Sequence, residues 1–266
     1  MHNKELKNYE TISKMSLKEK ASLMSGANFW NTQGYDHLDI PSIMMTDGPH
    51  GLRKQGGKAD HLGLHNSQKA TCFPTAATLA NSWDETLLHE VGQYLGKEAY
   101  SEHVSVLLGP GLNIKRNPLC GRNFEYFSED PYLSGTLAAA MIQGIQSEGV
   151  AACPKHFAVN SQELHRMSVD EIVDEKALRE TYLEGFRIAV EKGQAQSIMT
   201  SYNKVNGVYA NENAYLIDSI LKKEWGFNGL IVTDWGGNND RVEALKAGNQ
   251  LEMPSTNGMT DRDIVR

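Results

Sequence analysis

The sequence has few cysteines and no long apolar run, and each shortage argues against a class of protein. Its three cysteines, Cys72, Cys120 and Cys153, are widely spaced and include no CxxC pair, which argues against a disulfide scaffold. No window approaches the roughly 20 apolar residues that a membrane-spanning helix needs. Residues 1–7 lack the apolar core of a signal peptide. We therefore expect a cytoplasmic protein.

Basic residues are also in short supply. The chain has 26 Lys and Arg against 33 Asp and Glu, a net charge of −7, which argues against nucleic acid or an anionic membrane as a partner. By contrast, 40% of the 266 residues are apolar, enough to bury a core. This length allows one large barrel domain or two smaller ones.

Short apolar runs alternate with longer amphipathic segments. We predict strands at 42–46, 104–108, 150–153, 197–200, 230–232 and 250–253. We predict helices at 17–24, 82–103, 131–148, 174–193, 214–225 and 238–247, the first two opened by capping boxes at Ser16 and Ser82. Strands joined by helical connections predict a parallel sheet with right-handed crossovers.

The number of strands is lower than the eight of a complete (β/α) barrel. The chain ends at Arg266, where another covering helix is expected to begin. We therefore predict an α/β fold, a TIM-like (β/α) barrel that is collapsed or incomplete. Residues 1–266 should form a single domain that is truncated before its last helix.

The run 230–232 leads directly into Thr233, Asp234, Trp235 and two glycines. A carboxylate after a buried parallel strand lies where α/β barrels place their chemistry. Alternatively, Asp234 caps the helix that begins near Asn238. The other strand ends favour a catalytic role, because a distinctive set of side chains follows them: Asp47, Arg122, Lys155, His156, Met199 and Tyr202, with Asp234 and Trp235.

In a parallel sheet these residues gather at one mouth. Carboxylates accept hydrogen bonds from hydroxyl groups, Arg and Lys donate them, and an indole packs on the C–H face of a sugar. The set therefore favours a neutral polyhydroxylated ligand. A phosphate would need a glycine-rich loop at a helix start. His61 and His65 have the spacing of a metal pair, but glycines surround them, and we predict neither a metal nor a cofactor.

Each of these residues also has a purely structural interpretation. Arg122 can pair with Glu125 or Glu129. Met199 and Trp235 can be packing residues. Accidental polarity at five strand ends together is less plausible than at any one of them.

Eight stretches, in order along the chain, carry a family pattern. They are TDGPHGLR at 46–53, GRNFE at 121–125, SEDP at 128–131, KHFAVN at 155–160, Arg166, LRE at 178–180, MTSYN at 199–203 and TDW at 233–235. Together they resemble glycoside hydrolase family 3, in particular its β-glucosidases. The resemblance spans nearly the whole chain, and so many ordered motifs are highly specific.

The resemblance implies retaining hydrolysis of terminal β-D-glucosidic bonds in small glucosides or oligosaccharides, with Asp234 as the catalytic nucleophile. Nearby Arg and Lys are expected to favour the charged form of Asp234. The residues implied to hold the sugar hydroxyls are Asp47, Arg122, Lys155, His156 and Arg166. Those implied to form the walls beside the nucleophile are Met199, Tyr202 and Trp235.

In the β-glucosidases of this family the acid/base is a glutamate in a second, α/β-sandwich domain that follows the barrel. We therefore expect this chain to be the N-terminal half, with the C-terminal domain missing or supplied by a complementary chain. One branch of the family instead uses a histidine in a KHFPGH pattern, which residues 155–160 do not match. His165 could stand in for that histidine, but it is the less favoured alternative to an acid on a second domain. A non-catalytic sugar-binding or scaffold half, and β-xylosidase or β-N-acetylglucosaminidase specificity, are the alternatives.

Overall fold

The computed structural model describes residues 7–56 and 66–266, so that the predicted histidine pair, His61 and His65, lies outside the described residues. The strands are β1 (Met45–Asp47), β2 (Val106–Leu108), β3 (Ala151–Ala152), β4 (Lys155–Phe157), β5 (Asp170–Glu171), β6 (Ser197–Thr200), β7 (Lys204–Val205), β8 (Val208–Tyr209) and β9 (Leu230–Val232).

The α-helices precede, connect and follow these strands. They are α1 (Tyr9–Lys14), α2 (Leu17–Ser22), α3 (Ala76–Leu79), α4 (Glu85–Ser101), α5 (Pro131–Ser147), α6 (Glu175–Ala177), α7 (Glu184–Glu191), α8 (Arg241–Ala247) and α9 (Met259–Val265). Leu178–Leu183 and Tyr215–Glu224 are wound as π-helix.

The strands form three small sheets. The first two are parallel, in the orders β1-β2-β3 and β4-β6-β9. Isolated parallel bridges add to the second sheet at both of its edges: Gly111 pairs with Lys155 of β4, and Leu251 pairs with Val232 of β9. In the third sheet β5 and β7 are parallel, and β7 and β8 form an antiparallel hairpin. The fold is therefore α/β with parallel sheets.

Most predicted strands are confirmed. Those at 197–200 and 230–232 have the predicted bounds, whereas β1, β2 and β3 are shorter than predicted or shifted. Segment 250–253 makes single bridges at Leu251 and Glu252 instead of a ladder. The hairpin sheet was not predicted, because strands of two residues are too short to show an alternating pattern.

The helix starts confirm one predicted cap and correct two. Ser16 and Glu19 form the predicted capping box of α2. The box predicted at Ser82 is wrong, because the Asp84 carboxylate accepts from two N–H groups in the first turn of α4. The Asp240 carboxylate does the same for α8, so the reading of Asp234 as the cap of that helix is also wrong.

Helix α9 was not predicted from the sequence. It packs against α2 and α8. The Asp261 carboxylate of α9 accepts a hydrogen bond from Ser25 Oγ at 2.6 Å. The last helix is thereby joined to the loop that follows α2.

Alternate strand positions face two separate apolar clusters. On β2, Leu107 joins the cluster beneath the helices, whereas Val106 and Leu108 join a second cluster. On β6, Ile198 joins the first cluster and Met199 the second. The strands are thus buried on both faces, as their continuous apolar runs predict.

Two glycines let α4 and α5 meet backbone to backbone. A Cβ added at Gly144 would lie 2.1 Å from the carbonyl oxygen of His89, and one at Gly92 would lie 2.4 Å from that of Met141. Within residues 7–56 and 66–266, the structure contains no helix with the length and apolarity to cross a membrane.

Candidate active site

Asp234 lies just beyond the end of β9. Its Oδ1 accepts from the N–H of Trp235 at 2.7 Å, and its Oδ2 lies 3.4 Å from His156 Nε2. Burial raises the pKa of Asp234, and Arg122 and Lys155 oppose that rise. We expected the cations to dominate, but the side chain is 13% exposed and burial outweighs them.

Lys155 projects from β4 between two carboxylates. Its Nζ donates to Asp47 Oδ1 at 2.7 Å and lies 3.0 Å from Glu125 Oε1. Burial alone would lower the pKa of Lys155, but Asp47 and Glu125 raise it above its usual value. Burial would raise the pKa of Glu125, but Lys155 and Arg122 hold it well below its usual range. Lys155 and Glu125 are therefore charged at neutral pH.

Arg122, in the loop between β2 and α5, joins Glu125 to His156. Its Nε donates to Glu125 Oε2 at 2.7 Å, and its Nη2 donates to His156 Nε2 at 2.9 Å. Because a guanidinium can only donate, the imidazole proton resides on Nδ1, which lies 3.0 Å from the Tyr126 hydroxyl. Burial, and then Arg122 and Lys155, lower the pKa of His156 well below its usual value. His156 is therefore a neutral acceptor.

Arg166 comes from the loop that follows β4. Its Nη1 donates to Glu163 Oε2 at 2.8 Å, and its guanidinium lies over the ring of Tyr202, 4.6 Å from the centroid. The Tyr202 hydroxyl donates to the carbonyl oxygen of Trp235 at 2.8 Å. Burial, and then the Asp234 carboxylate, raise the pKa of Tyr202, which keeps its proton.

Trp235 and Trp30 form an indole wall, with ring centroids 5.3 Å apart. Trp235 Nε1 donates to the carbonyl oxygen of Phe29 at 2.7 Å, and Trp30 Nε1 donates to Gln55 Oε1 at 3.1 Å. These bonds hold both rings in place. Met199 is buried at the end of β6 and belongs to the same apolar cluster.

A cavity of about 190 Å³ brings these side chains together. All nine residues that the sequence predicted for the site line it. The full lining is Phe29, Trp30, Asp47, Arg53, Leu108, Arg122, Lys155, His156, Arg166, Met199, Tyr202, Asp234 and Trp235. His165, the local substitute for an acid/base, is exposed and does not line this cavity.

Four of the lining residues were not predicted from the sequence to belong to the site. Arg53 ends the TDGPHGLR stretch, so a motif already marked it. Leu108 is the last residue of β2 and carries no polar signal. Phe29 and Trp30 follow no strand, so only a tertiary structure brings them to the site.

Glu125 and Tyr126 contact residues of the cavity without lining it, and neither was predicted to belong to the site. Arg122 does pair with Glu125, as its structural interpretation required, and it lines the cavity as well. Glu125 in addition contacts Lys155. Tyr126, which carried no prediction, contacts His156.

The cavity suits a neutral sugar better than an ion. Asp47 Oδ2 lies 3.9 Å from Arg53 Nη1, and the Asp47 side chain is 33% exposed, so it is available to a hydroxyl group. In the described part of the chain, no three His, Cys, Asp or Glu side chains are grouped to bind a metal ion. Cationic and aromatic side chains around a buried carboxylate, at the ends of parallel strands, are an arrangement that glycoside hydrolases use.

The family follows from the sequence comparison. The family described as "Glycosyl hydrolase family 3 N terminal domain" matches residues 16–264, and this chain belongs to it.

Curated relatives and solved structures agree with this membership. Thermostable beta-glucosidase B of Acetivibrio thermocellus is 59% identical over 254 residues, which are 96% of this chain and 34% of that protein. An exo-alpha-(1->6)-L-arabinopyranosidase of Bifidobacterium longum is 49% identical, over 97% of this chain and 34% of that protein. The crystal structure of Bifidobacterium adolescentis GH3 beta-glucosidase has a TM-score of 0.89 at 47% identity, covering 96% of this chain and 36% of that one. The chain spans about a third of the length of the relatives it matches.

Proposed function

We propose that this chain is the nucleophile-bearing domain of a retaining β-glucosidase that acts on terminal β-D-glucosidic bonds of small glucosides or oligosaccharides. The observation that carries the proposal is the position of Asp234 in the wall of the cavity, beside the cations Lys155 and Arg122. Beta-glucosidase 3B from Thermotoga neapolitana in complex with glucose, 44% identical with a TM-score of 0.88 over 94% of this chain and 36% of that one, supports it.

The first step forms a bond between an Asp234 carboxylate oxygen and the anomeric carbon. The glycosidic C–O bond breaks as this bond forms, and the leaving oxygen takes a proton from a general acid. Water then attacks the same carbon and gives its proton to the general acid, which was deprotonated in the first step and now acts as a base; this releases the sugar and the free Asp234 carboxylate. Tyr202 and Trp235 would fix the nucleophile, because the Tyr202 hydroxyl holds the Trp235 carbonyl and the Trp235 N–H holds Asp234.

The sugar hydroxyls would be held by charged groups that already sit in place. Lys155, Arg122 and Arg166 would donate, and Asp47 would accept. Neutral His156 would accept from a hydroxyl group through Nε2 by exchanging its present bond from Arg122 for one from the sugar. Trp235 and Met199 would pack on the apolar face of the ring. Hydrogen bonds to charged groups are worth about 1.5–3 kcal/mol each, so several together account for specific binding.

The general acid is proposed to lie in a second, α/β-sandwich domain or on a complementary chain. The relatives, about three times as long as this chain, support that division. A retaining enzyme needs the acid carboxyl about 5–5.5 Å from the nucleophile. Within this domain we propose a collapsed (β/α) barrel, supported by the parallel strand series and its bridges at Gly111 and Leu251. A cytoplasmic location is part of the proposal on the sequence grounds above.

Covalent labelling tests the nucleophile without requiring the acid. A dinitrophenyl 2-deoxy-2-fluoro-β-glucoside carries a leaving group that needs no protonation, so a working Asp234 should gain one glycosyl group, detectable by intact mass and peptide mapping. Asp234→Asn should abolish labelling. Asp39→Asn is the matched control, because Asp39 is exposed and has a positive φ of 54° that asparagine tolerates. A folded chain that stays unlabelled, or a label elsewhere, would overturn the assignment.

A second substrate follows from the relative named exo-alpha-(1->6)-L-arabinopyranosidase. An L-arabinopyranoside lacks the hydroxymethyl group of glucose and carries its 4-hydroxyl group in the opposite configuration, so the two sugars test whether the cavity recognises these two features of glucose together. Labelling rates with the fluoro-glucoside and with a corresponding fluoro-α-L-arabinopyranoside distinguish them. Faster labelling by the glucoside supports β-glucosidase specificity, and faster labelling by the pentoside supports the alternative.

A further inference from the structure

We propose that Glu125 is a positioning residue that holds Lys155 and Arg122 in their sugar-binding geometry. This inference rests on the proposed function and adds a residue to its site. Glu125 does not line the cavity, so it would act through the two cations that do. Its side chain is 7% exposed, and each of its carboxylate oxygens faces one cation.

The backbone places Glu125 beside β4 although 30 residues separate it from Lys155 in the sequence. Gly111 pairs on one side with Tyr126 and on the other with Lys155. A Cβ at Gly111 would lie 3.0 Å from the carbonyl oxygen of Glu125, so glycine permits this close approach. The carboxylate thereby reaches Lys155 at 3.0 Å and Arg122 at 2.7 Å.

The charges explain why a second carboxylate is needed behind Asp47. Lys155 is 3% exposed, and a buried cation must be neutralised. If Asp47 alone neutralised it, the acceptor proposed for the sugar would be fully engaged by Lys155. Glu125 shares that task from behind the cavity wall, which leaves Asp47 Oδ2 for a hydroxyl group.

The same carboxylate orients Arg122. The Nε bond to Glu125 fixes the guanidinium plane, so that Nη2 meets His156 Nε2 at 2.9 Å. Without that bond, Arg122 would be free to turn towards Glu163, whose Oε1 lies 3.9 Å from its Nε. One buried carboxylate therefore sets the direction of both cations.

The test compares Glu125→Gln, Glu125→Asp and the matched control Glu129→Gln in the fluoro-glucoside labelling of the full chain. Glutamine keeps the shape and removes the charge, and aspartate keeps the charge but is too short to reach both cations. Glu129 lies in the same loop and is exposed. Saturation of the labelling rate separates the dissociation constant of the reagent from the maximal rate of bond formation.

We expect Glu125→Gln to raise the dissociation constant about 10- to 100-fold, the value of one or two lost hydrogen bonds to charged groups. The maximal rate should change much less, because Asp234 is untouched. Glu129→Gln should match the unchanged chain. If thermal melting shows that Glu125→Gln is not folded, Glu125→Asp takes its place in the test. We expect that variant to raise the dissociation constant of the reagent by a smaller factor.

The labelling results distinguish failure of the positioning role of Glu125 from failure of the proposed function. A folded Glu125 variant with an unchanged dissociation constant would overturn the positioning role, even if its melting temperature falls. No labelling of the unchanged chain would overturn the proposed function and this inference with it.

Discussion

At the scale of single residues, His156 shows how far the fold controls a charge. It is 1% exposed and lies next to Arg122 and Lys155, which lower its pKa along with burial. In the unfolded chain the same imidazole titrates near its usual value of 6.5. Below that pH the imidazole is protonated in the unfolded state but stays neutral in the folded state.

We therefore predict that the free energy of unfolding falls as the pH drops below about 6.5. One such group contributes up to about 1.4 kcal/mol per pH unit. Urea unfolding at pH 7.5 and 5.5 measures the difference. His50, whose pKa burial also lowers, adds to the slope.

Two variants test whether His156 causes this pH dependence of the free energy of unfolding. His156→Gln should flatten it, because the titrating group is gone. His165→Asn should leave it unchanged, since His165 is exposed and asparagine accepts its φ of 56°. An equal slope in His156→Gln would contradict the assignment.

Asp234 gives a second prediction at this scale. Burial raises its pKa above the ordinary 3.8, against the effect of Arg122, Lys155 and Arg166. The nucleophile must be ionised to attack, so labelling should lose half its rate at a pH above 3.8. The measurement is the labelling rate between pH 4 and 7, at pH values where circular dichroism shows a folded chain. A midpoint at or below 3.8 would show that the cations lower the pKa of Asp234 by more than burial raises it.

At the scale of elements, the contact between α4 and α5 depends on Gly144. Alanine would favour an isolated helix by about 1 kcal/mol. Here its Cβ would meet the His89 carbonyl oxygen at 2.1 Å, a backbone atom that cannot move aside. We predict that Gly144→Ala destabilises the fold by about 1–3 kcal/mol, the usual cost of overpacking, in denaturant unfolding.

The control for this prediction is Gly121→Ala. The nearest atom to a Cβ at Gly121 is 3.9 Å away, an ordinary contact. Its stability should stay within about 0.5 kcal/mol of the unchanged chain. Equal effects of the two substitutions would mean that the helices separate at little cost.

Elements also show what a sequence can predict. Periodicity located β6, β9, α5 and the π-helical Tyr215–Glu224, because burial on fixed faces leaves a pattern in the chain. The sequence did not show whether Ser82 or Asp84 caps α4, because both residue types are common caps and the backbone geometry decides between them. Caps and two-residue strands depend on contacts that the pattern does not record.

At the scale of the whole molecule, Arg241 joins distant parts of the chain. Its guanidinium donates to the carbonyl oxygens of Met24, Asn249 and Gln250 at 3.0–3.2 Å. Arg241 is only 4% exposed to solvent. We predict that Arg241→Met costs about 3–5 kcal/mol of unfolding free energy, because buried acceptors lose their donor.

Arg187→Met provides the comparison by the same denaturant unfolding. Arg187 forms ion pairs with Glu184 and Glu191, but 39% of its side chain is exposed. Surface pairs contribute about 0–1 kcal/mol. A loss as small for Arg241→Met as for Arg187→Met would show that the two ends of the chain are held together by other contacts.

The site could be predicted to the extent that it follows strands. The nine predicted residues sit at or near strand ends or in family motifs, and all of them line the cavity. Trp30 and the second partner of Lys155, Glu125, could not be predicted. They approach the site through pairings such as that of Gly111 with Tyr126, which depend on the three-dimensional fold.

The bond between Trp235 Nε1 and the carbonyl oxygen of Phe29 joins residues 206 positions apart. A ribosome adds about 5–20 residues per second, so the segment around Phe29 leaves it roughly 10–40 s before Trp235. Throughout that interval the ring contact between Trp30 and Trp235 cannot form. The cavity is therefore completed late in synthesis. A nascent chain arrested before Asp234 would carry the four cations of the cavity, Arg53, Arg122, Lys155 and Arg166, but neither the proposed nucleophile nor the indole of Trp235.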